Sequence, residues 1–267
     1  MILRETGFLD HDGERLYWES LGEGEPLVLC HGLGGNHAIW FQQVPVFART
    51  RRVVVWDHRG FGRSTDRAGR SGPEAAAGDL GALLDHLGLD RVDLVGQSMG
   101  GWTALGFALA SPERVRSLVL ADSLGGLHAP EIERALAAER ARSGPPSMAP
   151  IPELGRHVAI DAALLERDAA RAWLYQALGG MGDPAVPDIV PRLLGTRREI
   201  EPVRALPCPL LFVVGECDPL FPPAEVKAAA ALLPAARVVA IPGCGHSPYF
   251  ESPEAWNDAV GVFLRSR

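Results

Sequence analysis

Arg91-Val92-Asp93-Leu94-Val95-Gly96-Gln97-Ser98-Met99-Gly100-Gly101-Trp102 is the stretch from which the fold is read. Arg91 to Val95 is a short apolar run of β character, and Met99 to Ala110 is an apolar run with helical spacing. Between them stands the pattern G-x-S-x-G, which carries meaning only in a strand–turn–helix setting of this kind. The turn is too tight for side chains two residues either side of the serine, so glycine is required at 96 and 100. The turn aims the Ser98 hydroxyl outward, and the helix beginning at Met99 favours negative charge near its amino end. Val92 to Ala110 is the most apolar long stretch, but Asp93, Gln97, Ser98 and four glycines interrupt it. It therefore reads as a buried element pair and not as a membrane span.

Working outward, short β-rich runs alternate with amphipathic helical runs, which predicts an α/β fold with a mostly parallel sheet flanked by helices. Phe8-Leu9, the turn His11-Asp12-Gly13 and the alternating Arg15 to Glu19 predict an opening hairpin. Strands are expected at Pro26–Cys30, Arg52–Trp56, Arg91–Val95, Val115–Ala121, Pro209–Val214 and Arg237–Ile241. Helices are expected at Pro73–Leu87, Met99–Ala110, Pro223–Leu233 and Pro253–Arg265. The alternation breaks from Leu124 to Ala205. Glu131–Arg142, Asp161–Leu178 and Asp188–Leu194 read as helices there, and the proline-rich Gly144 to Pro150 as loop. The expected organisation is a core of residues 1–123 and 206–267 with a helical cap, 124–205, inserted over the sheet.

Bulk properties narrow the partners. At 267 residues the chain suits one domain with an insertion, and a content of 47% hydrophobic and 22% charged residues is that of a globular protein with a large core. A net charge of −7 repels phosphate backbones and anionic membranes, and Arg49, Arg51 and Arg52 are only a short basic cluster. Neither nucleic acid nor membrane is expected as a partner. Homo-oligomerisation is left open. Met1 to Asp10 lacks an apolar core and a cleavage site, so a cytoplasmic location with reduced thiols is expected.

A serine hydroxyl needs a base to take its proton, and the base needs a carboxylate to orient it. His246 lies in the glycine-rich turn Gly243-Cys244-Gly245-His246 after the last strand, at the sheet edge where catalytic groups gather. Asp218, in Gly215-Glu216-Cys217-Asp218-Pro219, follows the strand before it. Asp122, at the end of Val115–Ala121, is the rival acid, and Glu216 a weaker third. Backbone N–H groups must stabilise the oxyanion. Met99, next after the serine, is one expected donor, and Leu33, in His31-Gly32-Leu33-Gly34-Gly35, is the other.

These pieces together resemble the α/β-hydrolase superfamily over nearly the whole chain. His31 to Gly35 resembles its oxyanion turn, Asp57-His58-Arg59-Gly60-Phe61-Gly62-Arg63-Ser64 its structural turn after the fourth strand, and Gly96 to Gly100 its nucleophile elbow. The resemblance implies an eight-stranded sheet, a cap roofing the pocket, a Ser98–His246–Asp218 triad and chemistry that needs no metal or organic cofactor. The expected substrate is a small-molecule ester or lactone. Relatives with Asp at the elbow are epoxide hydrolases and dehalogenases; Ser98 argues against both. Carbon–carbon hydrolases of ring-fission products typically carry Asn before the serine and Trp after the histidine, where this chain has Gln97 and Phe250. That activity, a cofactor-free perhydrolase and a small-molecule receptor are the alternatives.

Around this centre Gly32, Gln97, Trp173 and Tyr175 are candidate pocket residues, with Met148 and Met181 as further cap residues. His37 and Trp40 are candidates for the pocket border, while Trp102 reads as packing. Cys30, His31, Cys217, Cys244 and His246 fall near strand ends, but without a close ligand pair the cysteines read as buried, inert thiols and not as a zinc site. His11, His58, His86, His128 and His157 are assigned no role.

Overall fold

The computed structural model describes residues 4–144, 159–181 and 189–266. The eight strands are β1 (Arg4–His11), β2 (Glu14–Leu21), β3 (Glu25–Cys30), β4 (Arg51–Trp56), β5 (Val92–Gln97), β6 (Val115–Ala121), β7 (Leu210–Gly215) and β8 (Ala236–Ile241). They form one sheet in the order β1-β2-β4-β3-β5-β6-β7-β8. The hairpin β1–β2 and the β2–β4 pair are antiparallel, and every other pair is parallel. Strand order reverses between β3 and β5, and at such a switch point the loops leaving neighbouring strands diverge and open a crevice.

The central strands are apolar on both faces, as strands covered on both sides must be. Val28, Val54, Leu94, Leu118 and Phe212 pack into one core, while Leu27, Leu29, Val53, Val119 and Leu211 pack into the other. Asp93 is a charged exception. Its carboxylate is buried within β5 and accepts from Arg51 at 2.7 Å and from the Ser117 hydroxyl at 2.7 Å.

Helices in chain order are α1 (Val44–Phe47), α2 (Pro73–His86), α3 (Met99–Ala110), α4 (Pro130–Ser143), α5 (Ala163–Arg167), α6 (Ala169–Gly179), α7 (Val190–Gly195), α8 (Ile200–Arg204), α9 (Pro223–Ala231), α10 (Pro248–Glu251) and α11 (Pro253–Arg265). One expected helix, Asp161–Leu178, is two. Asp168 adopts φ −153° and ψ 78°, ends α5, and caps α6 by accepting the Arg171 N–H at 2.9 Å. Aspartate bonds the backbone this way more readily than it continues a helix. The short α1, α8 and α10 carry too few residues for a readable period.

Between β6 and β7 the described residues form helices, apart from an isolated bridge between Leu127 and Arg198. Ile132 of α4 and Ile200 and Val203 of α8 pack into the same core as the sheet. Ile160, Leu164, Ala172 and Leu178, in and around α5 and α6, join the opposite core. Met148, His157 and Asp188 lie outside the described residues. Among the described residues, no helix is long and apolar enough to cross a membrane.

Candidate active site

Ser98 joins β5 to α3 with φ +48° and ψ −118°, a backbone state that L-residues rarely adopt. Crowding enforces the flanking glycines: a Cβ on Gly96 would overlap the Gly100 carbonyl, and one on Gly100 would overlap the Cys30 carbonyl. The Ser98 carbonyl is held by Gly101 N–H at 2.8 Å and by the Ser123 hydroxyl at 2.8 Å. The serine is thus fixed by the elements on either side and presents Oγ at the carboxyl end of the sheet.

His246 reaches it from the loop after β8. Nε2 accepts from Ser98 Oγ at 2.9 Å, while Nδ1 donates to Asp218 Oδ2 at 2.9 Å. Both partners of this second bond are buried. The other Asp218 oxygen accepts from the Leu220 and Phe221 amides at 2.8 and 3.2 Å, so the turn after β7 orients the carboxylate. The Phe221 ring stacks on His246 with centroids 5.8 Å apart. This bonding sets the tautomer, leaving the Nε2 lone pair on the serine hydroxyl.

The rival acid lies close by but is bonded to backbone, while His246 Nδ1 is bonded to Asp218. Asp122 is fully buried at φ +48°, and its Oδ1 accepts the Gly215 N–H at 2.9 Å. Burial, reinforced by the neighbouring Asp218 charge, pushes its carboxyl well above the carboxylate range. Glu216 is exposed and accepts from the Gly243 N–H at 3.3 Å.

The turn after β3 faces Ser98. Gly32 packs so closely on Gln97 that a Cβ there would overlap the amide oxygen, while Gln97 Nε2 donates to the His246 carbonyl at 3.0 Å. Gln97 therefore braces the base loop as well as bordering the pocket. His31 supports the turn from below. Nδ1 donates to the Gly32 carbonyl at 2.8 Å, and Nε2 accepts the His58 N–H at 3.0 Å. Burial lowers the His31 pKa to about 4, against the pull of Asp57, so the ring is neutral at pH 7. Residue type and spacing carried no signal for either role.

A cavity of about 560 Å³ opens above Ser98. Its floor includes Gly32, Leu33, Gln97 and Met99, and its walls include Trp102, Ile160, Leu193 and Phe221. Tyr175 and Gln176 contribute polar groups from α6. Four expectations are corrected here. Trp173 is 53% exposed and does not line the cavity, because it sits on the outer side of α6 from Tyr175. Trp102 does line it, with its indole N–H held by the Leu193 carbonyl at 3.0 Å. His37 and Trp40 are not at the border. His37 is bonded to Asp57 at 2.8 Å, and Trp40 is buried against Tyr249 and Trp256. Met181 is exposed and also lies off the lining.

No disulfide joins the four cysteines. Cys30, Cys208 and Cys244 are buried, whereas Cys217, expected to be buried, is exposed. Burial pushes the Cys30 and Cys244 thiols up to about 12, so both remain protonated at pH 7.

Comparison with known proteins identifies the family. A family model described as alpha/beta hydrolase fold matches residues 25–152, and one described as TAP-like protein matches residues 194–267. The dihydrolipoyllysine-residue acetyltransferase component of an acetoin cleaving system from Pseudomonas putida is 31% identical over 95% of this chain and 67% of its own length. Among solved structures, a thermophilic esterase from Thermogutta terrifontis is 28% identical with a TM-score of 0.74, covering 99% of this chain and 98% of the other. Est816, described as an N-acyl homoserine lactone degrading enzyme, is 27% identical with a TM-score of 0.75, covering 96% of this chain and all of the other. The chain belongs to the α/β-hydrolase superfamily, and it is a hydrolase of that fold.

Proposed function

We propose that this hydrolase cleaves a carboxylic ester or lactone of a small, apolar molecule through an acyl-enzyme on Ser98. The observation that carries the reading is the continuous hydrogen-bond path Ser98 Oγ–His246 Nε2, His246 Nδ1–Asp218 Oδ2, ending at the floor of the cavity. His246 takes the hydroxyl proton as Ser98 Oγ bonds to the carbonyl carbon. The carbonyl oxygen becomes an oxyanion, for which the Leu33 and Met99 amides are the donors. Met99 is the first residue of α3, where an N–H has no intrahelical acceptor. Collapse expels the alkoxide, which takes the proton from His246. Water then attacks the acyl-enzyme with His246 again as base, releasing the acid and restoring Ser98.

The lining favours the substrate class. Apolar side chains dominate the described walls, with the few polar groups, Gln97, Tyr175 and Gln176, able to orient a neutral acyl group. The esterase and lactone-degrading structures above support the same bond type. We read α5 to α7 as the cap, since α6 and α7 supply the roof of the cavity.

The test is steady-state hydrolysis of p-nitrophenyl butyrate, a γ-lactone and a ring-fission dienoate. Turnover of the first two and not the third is expected. Ser98→Ala is expected to lower kcat by a factor on the order of 10^6. Near wild-type turnover by that variant would overturn the assignment.

A further inference from the structure

Glu251, the last residue of α10, is 4% exposed and takes no part in the chemistry above. Its carboxylate faces the loop that carries the base. Both oxygens accept the Gly245 N–H at 3.1 Å, and Oε1 also accepts the Ser247 N–H at 3.2 Å. Those amides belong to the residues on either side of His246. Oε2 reaches in the other direction and accepts the Asp161 N–H, just before α5, at 3.0 Å. One buried group therefore holds three backbone donors from two separate parts of the chain.

The surroundings make this a junction. Arg167 donates to the Gly243 carbonyl and Arg171 to the Glu251 carbonyl, each at 3.2 Å, and the Tyr175 and Ser247 hydroxyls are bonded at 3.0 Å. Gly245 lies so close to the roof segment that a Cβ would come within 2.8 Å of the Asp161 nitrogen. Backbone here has no room for a bridging side chain from the loop itself. A carboxylate arriving from α10 supplies acceptors that the buried amides otherwise lack.

We propose that Glu251 is a positioning residue that fixes the backbone on both sides of His246 and ties it to the roof of the pocket at Asp161. It acts on the reaction by holding one ring in place: small shifts at 245 and 247 displace His246 Nε2 from its 2.9 Å bond to Ser98. The inference rests on the triad reading given under the proposed function.

Glu251→Gln tests it, because shape is kept and one acceptor is replaced by a donor that must face an N–H. On p-nitrophenyl butyrate kcat is expected to fall about ten- to hundred-fold, with KM within about threefold and a cooperative thermal transition retained. A kcat within about twofold of wild type, or a loss carried by KM alone, overturns the proposal. Ser98→Ala run in parallel separates the two readings: if that variant stays active the triad assignment fails, whereas if it is inactive and Glu251→Gln is unimpaired only the Glu251 role fails. Should Glu251→Gln not fold, amide exchange in the wild-type protein decides. Slow, concerted exchange at Gly245, Ser247 and Asp161 is expected, and rapid exchange at Gly245 or Ser247 in the folded protein overturns the proposal.

Discussion

Asp122 and Asp218 stand at the ends of adjacent strands, and one ligand atom from each and one from His246 lie within 4.8 Å of one another. They differ in what surrounds them. Asp218 receives two backbone amides and the imidazole N–H. Asp122 receives one amide in a fully buried site, so its neutral form is favoured. Asp218→Asn is therefore expected to lower kcat by a factor on the order of 10^4, since the amide reverses the bond that sets the tautomer. Asp122→Asn mimics a neutral carboxyl and is expected to keep kcat within about threefold. Equal losses in the two variants would show that both acids serve the base.

At the scale of the element, α9 carries a buried acid with no catalytic use. Glu225 is 8% exposed, its Oε2 has no hydrogen-bond partner among the described residues, and burial pushes its pKa up to about 7. Arg140 from α4 pulls the pKa down and the Asp218 charge pushes it further up. A carboxyl whose folded pKa exceeds its unfolded value contributes stability below about pH 4.5 that is lost as pH rises through about 7. Glu225→Gln removes that loss. Relative to wild type, the variant is expected to gain roughly 3 kcal/mol between pH 4.5 and 8, read from urea unfolding at the two pH values. A difference that does not change with pH would show that Glu225 titrates normally.

At the scale of the whole molecule, the buried imidazoles beneath the turn after β3 limit stability in acid. His31 and His58 are enclosed between β3, β4 and α3, with ring centroids 4.4 Å apart and the His58 Nε2 on Thr103 at 3.0 Å. Burial lowers both pKa values, that of His31 to about 4. A histidine depressed in the folded state binds its proton first in the unfolded chain, so stability is present above about pH 6.5 and falls as pH drops toward 4. For His31 the loss is on the order of 3 kcal/mol. Proton NMR is expected to show the His31 ring neutral down to pH 5, and titration near pH 6.5 would contradict this account.

The chain by itself determined the order and kind of most elements. The runs in β3 to β7 are nearly continuously apolar because both sheet faces are covered, and α3 and α11 begin and end where the local pattern does. The elbow that carries the proposed nucleophile was legible too, because a turn this tight needs glycine at 96 and 100. The tertiary structure decided what depends on contacts between distant segments. Neither the choice of Asp218 over Asp122, the bracing by Gln97 and Glu251, nor the side of α6 that faces the cavity has a local signature. Each follows from which amides and walls the fold brings within about 3 to 4 Å, a range at which hydrogen bonds and packing act and sequence separation does not.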